Sequence, residues 1–351
     1  MKHRLAVIGY GGMGGWHHEN IKERVPEIEV VGAYDVRPEA LEKAKERGLH
    51  AYASQDELLR DKSIDIVTIA TPNDFHKPIA IACLEAGKNV VCEKPVTLNA
   101  GELEDILAVA NRTGKLFTVH QNRRWDKDYR IVKKAIEDGL IGKPYFVESR
   151  VQGSRGSMYG WRGHKQNGGG MLLDWGGHLI DQVMDLFREP VVSVDGHLFG
   201  IFGDEVDDNI KLLIKFESGV SVMLEMSTNC FITLPRWHVS GTEGTLRVQS
   251  WSCDGEIVKL KPDSEMEWAD DIVYTEAGPT RTMAPRPKTT TEELPLPEVK
   301  TDWTDFYYNV VDVLNNKAEP IVKPKQLLRV MRVIDAIFLS AEIGHGIVCR
   351  I

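Results

Sequence analysis

Residues 5–14 read Leu-Ala-Val-Ile-Gly-Tyr-Gly-Gly-Met-Gly, and this stretch decides the fold. The four apolar residues predict a buried strand, and the glycines after them form a G-x-G-x-x-G that opens a helix. The first glycine permits a tight turn, the second lets the backbone approach a pyrophosphate, and the third lets helix and strand pack closely. The helix start offers free N–H groups and a positive dipole end to phosphates. The pattern therefore predicts a dinucleotide-binding turn made of Gly9, Gly11, Gly12, Met13 and Gly14.

The second predicted strand ends in an acid that such a site uses. Asp35 lies 21 residues after Gly14, close to the spacing of about 20 residues expected for the ribose-binding acid. A carboxylate there accepts hydrogen bonds from the two ribose hydroxyls and repels a 2′-phosphate. Arg37, which follows Val36, leaves alternatives open, because it could contact a 2′-phosphate, stack on adenine or face solvent. A carboxylate beside a phosphate is costly, so NAD is predicted as the cofactor and NADP is less favoured.

Apolar strands and helices alternate through the first third of the chain. Runs rich in Val, Ile and other apolar residues occur at 29–34, 65–70, 89–92 and 116–120, with helix-forming segments between them. Continuous apolar runs are typical of parallel strands that helices cover on both faces. We therefore predict an α/β Rossmann domain with a doubly wound parallel sheet over residues 1–121.

The remainder, residues 122–351, shows a different pattern. Two runs alternate apolar and polar residues, Ile210–Phe216 and Val220–Met226, and the residues Glu217-Ser218-Gly219 between them signal a hairpin. We expect an α+β domain with a mostly antiparallel open sheet that helices cover on one face. Residues 262–297 are rich in Pro, Thr and acidic side chains, and are expected to form a long loop or insertion.

Composition and charge exclude several classes of protein. The chain has 351 residues, 43 Lys plus Arg against 52 Asp plus Glu, and a formal net charge of −9. An acidic chain without a basic block is a poor partner for nucleic acid. No apolar run approaches the roughly 18 residues of a membrane span, so no membrane partner is expected. The five cysteines are scattered, which favours a reducing cytoplasm and argues against a disulfide scaffold or a Cys-rich zinc site.

Polar motifs follow the predicted strands at the carboxyl edge, where open α/β sheets bind their ligands. Thr71-Pro72-Asn73 with His76 follows one strand, and Glu93-Lys94-Pro95 follows the next. Far downstream, residues 168–178 read Gly-Gly-Gly-Met-Leu-Leu-Asp-Trp-Gly-Gly-His, and Trp161-Arg162 precedes them. Together with the glycine turn, this set resembles the Gfo/Idh/MocA family, which is named after glucose–fructose oxidoreductase, inositol dehydrogenase and their relatives. The resemblance covers nearly the whole chain.

The resemblance implies three catalytic residues. Lys94 would hydrogen-bond the reacting hydroxyl and the nicotinamide ribose, Asp174 would hold the substrate, and His178 would be the general acid/base. The chemistry of these groups agrees, since histidine titrates near neutral pH and an ammonium stabilises a developing alkoxide. Asp174 and His178 are four residues apart, so a single helix would project both from one face. Relatives in the family carry a cis peptide at the position of Lys94–Pro95, and we expect it here.

A metal centre is not expected. Asp174, His178 and His164 could be ligands, but the sequence contains no H-x-x-x-H or H-x-H pair and the resembled family needs no metal. His17 and His18, which lie in the first predicted helix, are interpreted as structural residues.

Further polar residues have expected places. Asp181 and Asp185 would extend the polar edge of the helix that carries His178, and Arg123 and Arg124 would be charges at the hinge between the domains. Beyond the glycine turn, the expected cofactor contacts are Asp35, Val36, Arg37, Thr71, Pro72, Asn73, His76, Glu93, Lys94, Gln121, Trp161 and Arg162, and the expected substrate contacts are Lys94, Tyr159, Trp161, Arg162, Asp174 and His178.

These inferences lead to one favoured function and two alternatives. The favoured function is a cytoplasmic NAD(P)-dependent dehydrogenase that acts on a ring hydroxyl or keto group of a sugar, a sugar derivative or an inositol. One alternative is a lyase or glycosidase that retains NAD and oxidises its substrate only transiently. The other is a dinucleotide sensor without chemistry, which is disfavoured because a sensor needs none of Lys94, Asp174 and His178. Residues 254–299 carry no recognised motif of the resembled family and leave the substrate open.

The second face of the predicted antiparallel sheet indicates self-association. Its residues Lys211, Leu213 and Lys215 mix apolar and charged groups, a composition that suits an interface with an apolar core and a wet rim. Relatives in the family pair through this sheet. We therefore expect a homodimer or a homotetramer.

Overall fold

A computed structural model describes residues 2–203, 205–264, 271–282 and 286–351. Its first sheet has six parallel strands: β1 (His3–Ile8), β2 (Ile28–Tyr34), β3 (His50–Ala51), β4 (Ile66–Ile69), β5 (Asn89–Cys92) and β6 (Phe117–Val119). Their spatial order is β3-β2-β1-β4-β5-β6, so the order reverses between β1 and β4. A crevice therefore opens at the carboxyl ends of these two strands, which is where doubly wound sheets bind ligands.

Helices cover both faces of this sheet, as the continuous apolar runs predict. Strands β4 and β5 are buried almost along their whole length, because neither face meets water. The Asn99 side chain caps one helix by accepting a hydrogen bond from the Glu102 N–H at 2.9 Å, and Gly114 ends that helix with φ +65°. The helices are α1 (Gly12–Arg24), α2 (Pro38–Glu46), α3 (Gln55–Arg60), α4 (His76–Glu85) and α5 (Ala100–Thr113).

The second sheet is mostly antiparallel, as the sequence predicts. Its strands are β7 (Pro144–Gln152), β8 (Val191–Phe199), β9 (Asn209–Phe216), β10 (Ser221–Ser227), β11 (Trp237–Gly241), β12 (Gly244–Val248), β13 (Gly255–Leu260), β16 (Thr291–Leu294) and β17 (Ile347–Val348). They lie in the order β16-β13-β12-β11-β7-β10-β9-β8-β17, in which β7 and β10 run parallel. Helices α6 (Lys127–Glu137), α7 (Gly177–Leu186) and α9 (Pro324–Ile343) pack on one face of this sheet. Helix α8 (Thr304–Leu314) packs against α1, and the two sheets share one core.

The opposite face of this sheet carries a row of charges instead of helices. Lys211 on β9 pairs with Glu225 on β10, and Glu225 also pairs with Arg150 on β7. Arg150 continues the row to Glu148, which in turn contacts His238 on β11. Opposite charges alternate across four neighbouring strands, and Arg150 and Glu225 are buried within this row.

The prediction for residues 262–297 is wrong in part. A two-stranded hairpin of β14 (Asp271–Thr275) and β15 (Gly278–Thr282) projects from the domain. Strand β16 pairs with β13, because Leu294 and Ile257 lie opposite each other and both pack on the core. Residues 265–270 and 283–285 of this segment lie outside the described residues. None of the helices in the described part of the chain combines the length and the apolarity of a membrane span.

Candidate active site

The glycine turn leaves no room for side chains at two of its positions. Gly9 has φ +90°, and a Cβ atom there would lie 2.6 Å from the Ala70 carbonyl oxygen. A Cβ atom on Gly14 would lie 2.1 Å from the Gly9 carbonyl oxygen, so only glycine lets α1 approach β1 so closely. Among the residues with described positions, no side chain caps the start of α1 at Gly11. Its first N–H groups are therefore available for an anion, which fits the pyrophosphate of a dinucleotide.

Asp35 and Arg37 form a pair beside this turn. Asp35 is buried at the end of β2, and the Arg37 side chain donates to both of its carboxylate oxygens, from Nε at 3.1 Å and Nη2 at 3.2 Å. The Arg37 Nη2 atom also lies 3.4 Å from the position of a Cβ on Gly11. Val36 is exposed between them, and Met13 is partly exposed on the turn. The acid and the cation therefore lie where the adenosine end of a dinucleotide would bind.

Three adjacent strand ends gather most of the expected cofactor contacts. Thr71 follows β4, Lys94 follows β5 and Gln121 follows β6. The Thr71 hydroxyl and the Gln121 side-chain oxygen Oε1 are buried and find no hydrogen-bond partner within the described ranges. Because buried polar atoms are almost always paired in folded proteins, these two fit the polar end of a bound dinucleotide. The His76 ring instead lies between the carbonyl oxygens of Pro95 and Thr71, at 2.9 and 3.0 Å, and links the two loops.

Asn73 connects this edge to the second sheet. Its side-chain amide donates to the Gly168 carbonyl oxygen at 2.8 Å. Gly168 has φ +70°, and a Cβ there would lie 2.3 Å from a methyl carbon of Leu98. Glycine at this position lets the triple-glycine loop dock on the Rossmann sheet. Asn73, which follows Pro72, therefore binds the triple-glycine loop and does not point freely into the cleft.

Lys94 and Asp174 meet across the cleft. The Lys94 Nζ atom donates to the Asp174 Oδ1 atom at 2.9 Å and to its carbonyl oxygen at 3.1 Å. Arg162 lies on the other side, with Nε 3.5 Å from Asp174 Oδ2. Burial raises the pKa of Asp174, but the two cations outweigh burial and hold it below its usual value. Asp174 is therefore a carboxylate that fixes two cationic side chains. The Lys94–Pro95 peptide is cis, as expected.

Asp174 and His178 do not share one α-helix, the arrangement in which both would project from one face. Leu172–Gly176 form a π-helix, and α7 begins only at Gly177. The cause lies at the start of the segment, where Gly170 has φ +102° and the Leu172 N–H donates to Asp207 Oδ2 at 2.7 Å. Wide turns of this kind occur often at functional sites. Asp207 is a residue that sequence reasoning missed, because it lies over 30 residues further along the chain.

His178 lies at the first turn of α7 and is buried. Its ring packs edge-on against that of Trp175, with 5.6 Å between the centroids. Burial, and the nearby Lys94 and Arg123 cations, hold the pKa of His178 well below its ordinary value. The ring is therefore neutral near pH 7, and its Nδ1 atom has no hydrogen-bond partner among the residues that the structure describes. A neutral, unpaired imidazole beside a lysine can accept a proton.

Two tryptophan rings and an arginine pack together at the cleft, a cluster that sequence reasoning missed. Arg123 lies 4.7 Å above the ring of Trp175 and 5.7 Å from that of Trp251, and the two tryptophan rings are 5.9 Å apart. Arg123 therefore belongs to the cleft, although it was expected only at the domain hinge. Trp251 comes from the tip of the β12–β13 hairpin. No local sequence signal connects that tip to the cleft.

Other expected residues lie at the rim or elsewhere. Tyr159 is exposed below Arg155, whereas Trp161 stacks under Arg162 with 4.4 Å between guanidinium and ring. His164 is exposed and contacts Glu205 at 3.2 Å. Asp181 and Asp185 do not extend the polar edge of the cleft, because both form ion pairs on the buried face of α7.

Comparison with known proteins agrees with this geometry. A sequence profile for an oxidoreductase family with an NAD-binding Rossmann fold matches residues 3–121, and one for the GFO/IDH/MocA C-terminal domain matches residues 129–247. A solved NAD-binding protein from Listeria innocua is 44% identical, with a TM-score of 0.93 and 99% of both chains covered.

Two related sequences from Bacillus subtilis (strain 168) have named activities. The scyllo-inositol 2-dehydrogenase (NADP(+)) IolW is 25% identical over 97% of this chain and 94% of its own. A scyllo-inositol 2-dehydrogenase (NAD(+)) is 32% identical over 69% of this chain and 72% of its own. Profile matches over both parts of the chain and a cleft of the expected composition lead to one conclusion: this chain belongs to the Gfo/Idh/MocA family of oxidoreductases and has that family's NAD-binding Rossmann fold.

Proposed function

We propose that this oxidoreductase is a dehydrogenase that transfers a hydride between NAD and a ring hydroxyl or keto group of a sugar, a sugar derivative or an inositol. One observation carries the proposal: Lys94, fixed by Asp174, lies beside a neutral His178 at the carboxyl edge of an NAD-binding sheet. Alcohol oxidation needs such a pair, because the hydroxyl must lose a proton as the carbon loses a hydride.

The side chains divide this work. Bound NAD would supply the hydride acceptor. The neutral His178 ring takes the hydroxyl proton on one of its nitrogens. Lys94 donates a hydrogen bond to the same oxygen and stabilises the negative charge that develops there. Asp174 keeps the Lys94 ammonium aimed into the cleft, and it positions Arg162 for a second substrate hydroxyl.

The proposed substrate class follows from the number of polar side chains in and around the cleft. A polyol ring presents several hydroxyls, and Arg162, Asp174 and the rim residues Tyr159 and Trp161 offer donors, acceptors and aromatic surface. The relatives named above act on an inositol by their names. Both facts favour a cyclic polyol over a linear or apolar alcohol.

NAD is proposed over NADP because of Asp35. Its buried carboxylate lies at the end of β2, where it can accept hydrogen bonds from ribose hydroxyls. A 2′-phosphate there would need Arg37 to leave Asp35, and would then face an unpaired carboxylate.

A panel of cyclitols, pyranoses and their keto derivatives tests the function, with NAD and NADP in parallel and NADH or NADPH absorbance as the readout. We expect oxidation of a cyclic polyol with NAD, and none by Lys94→Ala under the same conditions. A panel in which no compound is oxidised or reduced with either cofactor would contradict the proposal.

Three further assignments belong to the proposal. The Rossmann domain would end at Gln121 and the substrate domain would begin at residue 122. The enzyme would work in the cytoplasm, which suits five free thiols. Two copies would pair through the face of the second sheet that carries Lys211, Leu213 and Arg150, alone or as a dimer of dimers. Sedimentation at micromolar concentration tests the pairing, and a single species near 39.4 kDa would contradict it.

A further inference from the structure

A carboxylate is buried directly beneath the proposed reaction site. Glu93 precedes Lys94 at the end of β5, and two histidine rings hold the same atom, its Oε1. The His17 Nε2 atom and the His120 Nδ1 atom each lie 2.8 Å from it. The other ring nitrogen of His17, Nδ1, is 2.6 Å from the Tyr307 hydroxyl. We call Glu93, His17, His120 and Tyr307 the carboxylate clamp.

The protonation states of the clamp follow from its surroundings. Burial raises the pKa of Glu93, but the two histidines outweigh burial and hold it well below its usual value. Burial lowers the pKa of His17, so that ring is neutral. The His17 Nε2–H then donates to Glu93, and its Nδ1 accepts from the Tyr307 hydroxyl. The result is an ionised carboxylate that oriented side-chain donors hold in place.

Each member of the clamp comes from a different part of the molecule. His17 lies on α1, the helix whose N-terminus faces the pyrophosphate site, and His120 follows β6. Tyr307 lies on α8, far along the chain. The other oxygen of Glu93, Oε2, accepts the backbone N–H of Lys94 at 3.2 Å. The clamp therefore connects the cofactor helix and a C-terminal helix to the main chain of Lys94.

The fold alone does not require a charge at this position. Burying an ionised carboxylate is costly, and a neutral amide of the same shape would fill the same space. A strongly perturbed ionisable group in a cleft is a candidate for function. Among the charged groups around His178, Glu93 favours the protonated ring, whereas Lys94, Arg123 and His120 oppose it. The Glu93 charge thus favours the state that His178 reaches after it takes a proton.

We propose that Glu93, held by His17 and His120, is a positioning residue for hydride transfer: it fixes Lys94 against the substrate hydroxyl and favours the cationic His178 that forms in the reaction. This inference rests on the proposed dehydrogenase function. It adds residues that act through Lys94 and His178 and do not touch the substrate themselves.

The variant Glu93→Gln tests the charge with little change of shape. We expect kcat to fall by about 10²-fold, as small misplacements of reacting groups do, with the NADH affinity measured by fluorescence nearly unchanged. Hydride transfer should become more rate-limiting, so the primary deuterium isotope effect on kcat should rise. A purely structural role would reduce the amount of folded enzyme and leave the isotope effect unchanged.

Matched pairs of variants test the clamp itself. His17→Gln and His120→Asn keep an N–H donor near the original nitrogen, whereas His17→Leu and His120→Leu remove it. We expect the amide variants to retain most of the activity and the leucine variants to approach Glu93→Gln. If Glu93→Gln does not fold, these pairs still decide the question. Equal activity in both members of each pair would overturn the inference.

One measurement does not depend on turnover. In enzyme labelled with 15N-lysine, the Lys94 amide proton, assigned through Lys94→Arg, should move upfield in Glu93→Gln because it loses a charged acceptor. If that shift occurs but no polyol is turned over, the proposed function fails and the clamp stands. If polyols are turned over and the amide, kcat and isotope effect are unchanged in Glu93→Gln, the clamp inference fails.

Treatment with a chelator tests whether the same atoms bind a metal ion. The donor atoms of His17, Glu93 and His120 lie within 4.8 Å of one another, close enough to hold a metal ion. Dialysis against EDTA should leave kcat and the Lys94 amide unchanged, because hydrogen bonds hold the clamp. Loss of activity that zinc restores would overturn the hydrogen-bonded clamp.

Discussion

Two acid–cation pairs lie on either side of the start of α7, and they differ in what surrounds them. Lys94 and Asp174 face the cleft with side chains 15% and 20% exposed. Asp181 lies on the buried face of α7, where it pairs with Arg124, and the side chains of Arg124 and Asp181 are 4% and 2% exposed. Arg124 donates to both oxygens of Asp181 at 2.7 Å and donates a further hydrogen bond to Gln326 at 3.1 Å.

The difference separates a reacting pair from a structural one. The Arg124–Asp181 pair is bidentate and buried from solvent. Losing one partner would leave an unpaired buried charge and lower the free energy of unfolding. The Lys94–Asp174 pair is partly open, and the Lys94 charge acts on His178, whose Nδ1 atom has no hydrogen-bond partner among the described residues. An ion pair alone therefore does not identify the reaction site. What identifies it is an ion pair next to a buried polar atom that lacks a hydrogen-bond partner among the described residues.

The sharpest test of the reacting side is His178→Ala. Deleting a general acid/base costs about 10²–10⁴-fold in rate, so kcat should fall by that factor while NADH binding persists. Steady-state kinetics on the substrate found in the panel, with fluorescence titration of NADH, measures both. A loss of less than tenfold would remove His178 from the proton transfer.

The structural side is tested by Arg124→Leu, with Lys94→Ala as its control. Removing Arg124 leaves the buried Asp181 carboxylate unpaired and should lower the free energy of unfolding by about 3–5 kcal/mol. Lys94→Ala also removes one partner of a pair, but water reaches Asp174, so the loss should stay near 1 kcal/mol. Urea unfolding measures both. Equal losses in the two variants would contradict the distinction between a reacting pair and a structural pair.

A pH series on Asp185→Asn sharpens the same comparison. Burial raises the pKa of Asp185, but Arg124, Lys133 and Tyr129 lower it to about 2, below the 3.8 of the unfolded chain. The carboxylate therefore stabilises the fold by about 2 kcal/mol above pH 5, and this contribution is lost as the pH falls through 3.8 toward 2. Urea unfolding of both proteins should show a gap at pH 7 that closes in acid. A constant gap would show that Asp185 acts by packing.

The smallest effect is expected at a third pair, Asp35 with Arg37. This pair is half open, since Arg37 is 53% exposed and Asp35 only 6%. Asp35→Ser removes the charge that opposes a 2′-phosphate and frees Arg37 to bind it, so the ratio of NADP to NAD use should rise about tenfold, or about 1.4 kcal/mol. The ratio of kcat/KM values measures it. If the wild-type enzyme already prefers NADP, Arg37 outweighs Asp35.

The sequence carries strong local signals for the first sheet and weaker ones for the second. Glycines that only fit as glycines, such as Gly9 and Gly14, and continuous apolar strands make a Rossmann sheet predictable. Strand β16 was missed because Thr291-Glu-Glu-Leu is neither apolar nor β-branched throughout; it forms because β13 offers an open edge.

The same division holds for the cleft. Lys94, Asp174 and His178 lie in motifs whose neighbours are close in sequence, and the structure brings Lys94 to Asp174. Asp207, Trp251 and the partners of Glu93 come from distant segments, and their side chains carry no mark of the contact they make. Long-range packing places them, and a single sequence does not contain that information in local form.

The ends of the two sheets have a consequence for how the protein behaves at high concentration. The first sheet ends in β3, with two residues, and β6, with three; the second ends in β16, with four, and β17, with two. Long unpaired edges are templates on which another chain can add a strand and aggregate. The outermost strands of these two sheets are short, whereas the separate hairpin of β14 and β15 has five residues in each strand and no further strand beside either edge among the residues that the structure describes. That hairpin is therefore the place where a strand of another chain could add most readily.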